Sequence, residues 1–134
     1  MPETENKIKV LLIEDDIFMS DLLTQALNRA GFAVIGAKTG ADGLKKFLEL
    51  HPHIILLDLL LPDENGFETL RKIRRSGNGA NAKVIILSNL SHEQNAEEAR
   101  RLGVSDYLVK VNFSMDEIIA KIRSVMRIEG RSSN

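Results

Sequence analysis

A chain of 134 residues, 43% hydrophobic and 28% charged, has the composition of one ordinary globular domain, long enough to bury a core of its own. The absence of cysteine excludes disulfides, thiolate metal sites and a cysteine nucleophile, and aromatics at 4% leave the core to Leu, Ile, Val and Ala. A formal net charge of -1 argues against a broadly basic nucleic-acid surface, and no stretch approaches the roughly 18 apolar residues of a membrane span.

Residues 1–6 lack the basic-then-apolar order of a secretion signal and read as the tail of a cytoplasmic protein. The first apolar run, Ile8 to Ile13, is closed by Glu14-Asp15-Asp16. Phe18, Leu22, Ala26, Leu27 and Ala30 then make a stripe of helical period that stops at Gly31, a good C-terminal cap. A second run, Ala33 to Ala37, precedes a stripe of Ala41, Leu44, Phe47 and Leu48. The third run, Ile54 to Leu57, meets Asp58, and its helix carries Phe67, Leu70 and Ile73. A fourth run, Val84 to Leu87, ends at Ser88, and Ser91-His92-Glu93-Gln94 has the capping-box pattern of a helix start. The stripe of this fourth helix is only Ala96, Ala99 and Leu102, among Glu93, Glu97, Glu98, Arg100 and Arg101. So little apolar area marks either a mobile element or simply a short solvated helix. Tyr107 to Val109 is the last run, followed by Lys110, and a second capping box, Ser114-Met115-Asp116-Glu117, opens the fifth helix. One domain over residues 7–128 with tails at 1–6 and 129–134 is expected.

Strands apolar on both faces, each followed by a helix, predict an α/β fold: a doubly wound, five-stranded parallel sheet, (βα)5. In such sheets ligands bind outside the carboxyl ends of the strands. The residues there are Glu14, Asp15 and Asp16, then Asp58, Ser88 and Lys110. Singly each has a plain reading. Asp15 or Asp16 could cap the next helix, Asp58 could open a turn before Pro62, Ser88 could be a polar strand end, and Lys110 could be a surface lysine with a buried stem. Jointly, the clustered acids call for a hard divalent cation such as Mg²⁺, and a hydroxyl with an ammonium suits the oxygens of a phosphoryl group in transfer.

The segments Lys9 to Asp16, Asp58-Leu59-Leu60-Leu61-Pro62 with Gly66, Val84 to Ser88, and Asp106 to Lys110 resemble, in order and spacing, the receiver domain of two-component response regulators, of the CheY-like superfamily. The resemblance covers residues 7 to 127 and implies a flavodoxin/CheY-like strand order of 2-1-3-4-5. It implies that Asp58 takes a phosphoryl group from a phosphohistidine of a sensor histidine kinase or histidine phosphotransfer protein. Mg²⁺ would be held by Asp15, Asp58, Glu14 through water, and the main-chain carbonyl of Leu60. Lys110 would pair with the phosphoryl oxygens, Ser88 would bond the phosphorylated form, and Tyr107 would be the switch aromatic. The chain would then catalyse only its own phosphorylation and dephosphorylation and switch a surface made by the fourth helix, fifth strand and fifth helix toward a downstream protein. Homodimerisation through that surface is a further expectation, with Asp106, Glu117 and Lys121 as charges that are either interfacial or merely solvated.

The chain departs from the family pattern in two places. Val111 follows Lys110 where a proline in a cis peptide is usual, and the loop Val111 to Ser114 looks one residue long, which loosens the placement of Lys110. Asn89 stands where a small residue normally leaves access to the phosphoryl group, so it would obstruct an attacking water or bond the phosphoryl group itself. With apolar Leu60 and Leu90 at the rim, slow self-dephosphorylation is expected. Competing classes fare worse. No G-x-x-x-x-G-K-[ST] loop exists, Gly77-x-Gly79-x-x-Ala82 precedes a strand rather than opening a helix, and a haloacid-type phosphatase would need an Asp at Leu60. The remaining alternative is a pseudo-receiver, a protein-binding module that signals without phosphorylation.

Overall fold

The computed structural model describes residues 7–130. Strands β1 (Lys9–Ile13), β2 (Ala33–Ala37), β3 (Ile54–Leu57), β4 (Lys83–Ser88) and β5 (Asp106–Val109) alternate with helices α1 (Ile17–Arg29), α2 (Gly40–Leu50), α3 (Gly66–Arg74), α4 (His92–Arg101) and α5 (Met115–Gly130). All pairings are parallel and the strand order is 2-1-3-4-5, as the resemblance implies. Of the tails expected at 1–6 and 129–134, residues 1–6 and 131–134 lie outside the described residues, whereas 129 and 130 belong to α5, which continues to Gly130. Among the described residues no helix is long and apolar enough to cross a membrane.

Successive side chains of a strand point to opposite faces, and here both faces are apolar. Val10, Leu12, Ile54, Leu56, Ile85 and Leu87 pack with Leu23 and Leu27 of α1 and Ile118, Ile119 and Ile122 of α5. Leu11, Ile13, Ile55, Leu57 and Val84 pack with Phe47 of α2 and Leu70 and Ile73 of α3. A smaller cluster, Leu59, Phe67, Ile86 and Ala99, sits under α4. Parallel pairing brings the carboxyl ends of β1, β3, β4 and β5 to one edge, which places the site.

The stripe expected on α1 is corrected. Leu27 of that stripe is buried and Ala26 and Ala30 pack beside it, but Phe18 is 83% and Leu22 54% exposed, and Ser20 and Leu23 are buried in their place. Neighbouring residues on a helix are about 100° apart, so Leu23 and Leu27 define an inward line next to the one that Phe18 and Leu22 follow. Ala41 and Leu48 of α2 are likewise exposed, whereas all three stripe residues of α3 are buried.

Caps set the helix starts. Asp16 Oδ1 accepts from the Met19 N–H at 3.2 Å, which resolves the choice between Asp15 and Asp16 as cap of α1. Ser114 and Glu117 form a reciprocal capping box, at 3.1 and 2.8 Å, while Ser91 Oγ accepts only from the Glu93 N–H at 3.1 Å. Gly31 adopts a φ of 98°, the left-handed geometry that its cap position requires. The start of α2 is held from outside: Asp63, in the loop after β3, accepts from Gly40 and Ala41 N–H at 2.8 and 3.0 Å.

Those N–H groups hold the Asp63 carboxyl below its ordinary pKa of 3.8. Because the folded pKa is depressed, the stabilisation is present above the unfolded value and is lost as pH falls through the folded one. Asp63→Ala should therefore cost about 0.5–1 kcal/mol at pH 7, low for a cap because the carboxylate is exposed. The difference from wild type in urea unfolding should shrink as pH drops below the Asp63 range.

Candidate functional site

The apolar strand ends hand over to polar residues at a single edge. Glu14 directly follows β1 and its N–H donates to Ala37 O at 2.9 Å; Asp58 directly follows β3 and its N–H donates to Ile13 O at 3.0 Å. These main-chain bonds fix both carboxylates at the end of the central strands. Glu14 is 2% and Asp58 6% exposed, and Ser88, the last residue of β4, is fully buried. Across from them Lys110, the first residue after β5, places Nζ 2.7 Å from Glu14 Oε1 and 3.0 Å from Asp58 Oδ2. The loop that follows Lys110 therefore does not displace the lysine from the cluster.

The other oxygen of each carboxylate also has a partner. Glu14 Oε2 accepts from the Asp16 N–H at 3.0 Å, and Asp58 Oδ1 accepts from the Leu60 N–H at 3.2 Å. The turn-forming role open to Asp58 is thus real, but it occupies one oxygen and leaves the other to Lys110. Asp15 stands exposed at the rim. Burial pushes the Glu14 carboxyl above its ordinary 4.5, with the Asp58 charge adding to the rise while Lys110 and the Asp16 N–H oppose it. Burial alone would lower the Lys110 ammonium, but the bonds to Glu14 and Asp58 outweigh it and raise the pKa above 10.5.

Gly66 was noted only as part of a motif; its role is steric. A Cβ there would lie 2.4 Å from Asp58 O and 2.8 Å from Leu59 Cα, so only glycine lets α3 begin against the loop that carries Asp58. A single side chain also ties three segments that sequence patterns left unconnected: Arg74 donates to the carbonyls of Gly79, Ala82, Leu102 and Gly103.

The expected switch residues line the opposite side of the site. Ser88 Oγ accepts from the Leu90 N–H at 3.4 Å. The half-buried Tyr107 donates its hydroxyl to Leu90 O at 3.0 Å and meets His92 edge-on at 5.0 Å. Burial holds the phenol above its ordinary 10.0, so it is a neutral donor. Ala99 is the one fully buried residue of α4, and Glu98 pairs with Arg71 of α3. Asn89, expected to obstruct water or bond the phosphoryl group, engages its side-chain carbonyl with the Val111 N–H at 3.1 Å. Every peptide bond among the described residues is trans, Lys110–Val111 included. Of the three surface charges, Asp106 pairs with Lys121 at 3.2 Å and Glu117 is used in its own helix cap.

The donor set fits Mg²⁺. All candidate ligands are oxygens, two buried carboxylates share one ammonium, and Asp15 adds a further negative charge at the rim. No three acid or imidazole side chains among the described residues gather into a ready cage. Mg²⁺ needs only one or two carboxylates and keeps several waters, so this open, anionic set suits it.

A parallel sheet of order 2-1-3-4-5 with an acid pair, a hydroxyl and a lysine at its carboxyl edge defines a receiver-type signalling domain. The response regulator receiver domain family matches residues 10–123, and the chain belongs to that family. It is 34% identical over 120 residues to the probable transcriptional regulatory protein SilR of Salmonella typhimurium, covering 90% of this chain and 51% of that protein. It is 37% identical over 122 residues to the transcriptional regulatory protein GltR of Pseudomonas aeruginosa, covering 91% and 50%. The chain thus spans about half the length of the curated relatives it matches. Among solved structures, a CheY-like response regulator receiver domain protein from Methanospirillum hungatei JF-1 superposes with a TM-score of 0.87 at 23% identity, covering 96% of this chain and all of that one. A LuxR-family DNA-binding response regulator from Staphylococcus aureus gives 0.79 at 27% identity, covering 88% and 98%.

Removing the shared cation should expose the strain in this cluster. Lys110→Met is expected to lose about 3 kcal/mol at pH 7, as when one partner of a buried ion pair is deleted. Glu14, already raised above 4.5, then rises further. A raised folded pKa means stability is lost as pH rises through it, so the variant should regain part of the loss as pH is lowered from 7 toward the carboxylate range in urea unfolding.

Proposed function

We propose that Asp58 is the phosphoacceptor of this chain and that the chain acts by switching on its phosphorylation. The observation that carries the reading is the Lys110 ammonium held between two buried carboxylates, 2.7 and 3.0 Å away, at the open end of the sheet. A carboxylate oxygen of Asp58 attacks phosphorus as the P–N bond to the donor imidazole breaks, and the imidazole nitrogen leaves with the bonding pair. Lys110 follows the charge onto the phosphoryl oxygens, and Glu14 keeps its ammonium in place. Asp15, Asp58, the carbonyl of Leu60 and, through water, Glu14 would hold Mg²⁺. The bound ion would supply neutralisation of the equatorial oxygens.

The donor is a phosphohistidine on a sensor histidine kinase or a histidine phosphotransfer protein in the cytoplasm. Ile17 and Phe18 at the start of α1, just after Asp15 and Asp16, and Leu60 and Val111, close in sequence to Asp58 and Lys110, are exposed apolar side chains. Such apolar ground beside an acid cluster suits docking of a protein donor. The phosphoryl group adds about -1.5 to -2 charge at Asp58, and Ser88 and Lys110 bond it better in a shifted arrangement of the β4–α4 loop. Tyr107 and the thinly anchored α4 pass that shift to the α4, β5 and α5 surface and so to a downstream protein. The chain turns over no separate substrate and catalyses only its own phosphorylation and dephosphorylation.

Incubation with acetyl phosphate and Mg²⁺ should add one phosphoryl mass to wild type and none to Asp58→Ala, read by intact mass. With apolar Leu60 and Leu90 at the rim, the adduct should persist for minutes or longer. A half-life of seconds would contradict the slow decay. No adduct, with beryllofluoride also failing to bind, would instead support a pseudo-receiver.

A further inference from the structure

Two loops meet at the site, and one side chain joins them. The β4–α4 loop carries Ser88 at its start and Leu90, whose carbonyl holds Tyr107. The other segment is a 3-10 turn, Lys110–Asn112, which follows β5 and carries the lysine. The strands themselves are in register, Ser88 opposite Val109, but that pairing ends there. Beyond it the first N–H groups of a helical turn have no partner within the turn. Val109, the residue at its cap position, supplies no side-chain bond. Asn89 supplies it from across the edge: its Oδ1 accepts from the Val111 N–H at 3.1 Å. Val111 is 79% exposed, so packing of its side chain contributes little to holding the turn.

We propose that Asn89 is a positioning residue for Lys110: its carboxamide oxygen latches the turn that bears the lysine to the loop that bears Ser88. Any movement of Ser88 toward Asp58 carries its neighbour Asn89 with it, and through the Val111 N–H the backbone next to Lys110. Lys110 already contacts Asp58, so the latch keeps its backbone in step with Ser88 as that residue shifts. It also needs an N–H at position 111, which valine provides and an imino acid would not. The consequence for phosphorylation rests on the reading of Asp58 as phosphoacceptor; the latch itself does not.

The test compares wild type, Asn89→Ala and Asn89→Asp by amide hydrogen exchange at Val111 and by the rate of adduct formation from acetyl phosphate with Mg²⁺. In Asn89→Ala, exchange at Val111 should rise about tenfold and adduct formation fall roughly three- to tenfold, the worth of one hydrogen bond. Asn89→Asp retains an acceptor oxygen and should restore the protection of Val111. Val111→Pro, which removes the donor, should slow adduct formation, with no further loss when Asn89→Ala is added. Equal exchange at Val111 in wild type and Asn89→Ala would overturn the latch, as would additive rate losses in the double variant. Absence of any adduct on wild type would overturn the phosphoacceptor reading, while the exchange comparison would still decide the latch.

Discussion

One ammonium shared by two buried carboxylates is the constraint on which the site depends. Glu14 and Asp58 are fixed by main-chain bonds at the ends of adjacent central strands, so their separation is set by the sheet and not by their side chains. Like charges so placed repel, and Lys110 answers only part of that repulsion. The remaining negative charge is of the kind that suits a hard divalent cation. A hydrophobic substitute would stabilise the fold at the expense of the chemistry, a common tension at functional sites.

The surrounding helices are anchored unequally. Phe67, Leu70 and Ile73 of α3 are buried, each worth about 1.5–3 kcal/mol, whereas the fully buried side chain of α4 is the methyl of Ala99, worth about 0.8 kcal/mol. Polar clasps hold α4 in compensation: Tyr107 to Leu90 O, Glu98 to Arg71, and Arg74 to the carbonyls of Leu102 and Gly103. Hydrogen bonds of this kind exchange between partners at small net cost, unlike a packed side chain. Moving an equilibrium from 1:99 to 99:1 takes about 5.5 kcal/mol of differential binding.

The five strands and the edge residues were legible because a parallel sheet buried on both faces leaves unbroken apolar runs, and Asp58 or Lys110 interrupts them visibly. The inward face of α1 was not. Phe18 and Leu22 fit the helical period as well as Leu23 and Leu27 do, and periodicity alone does not separate a core stripe from an exposed apolar one beside it. Asp63 belongs to no motif of the sequence, yet it caps a helix 22 and 23 positions away. Asn89 and Val111 each stood out as a departure from the family pattern. Only the fold shows that the two departures are one hydrogen bond.

The most direct test of this account is the backbone amide spectrum of the protein titrated with beryllofluoride in Mg²⁺. Coupling through the shared lysine and the β4–α4 loop predicts shifts at Asp58 to Leu60, Ser88 to Ser91, Tyr107, Lys110 and Val111, extending into α4. Shifts confined to the ends of β1 and β3, with Tyr107 and α4 unmoved, would contradict it.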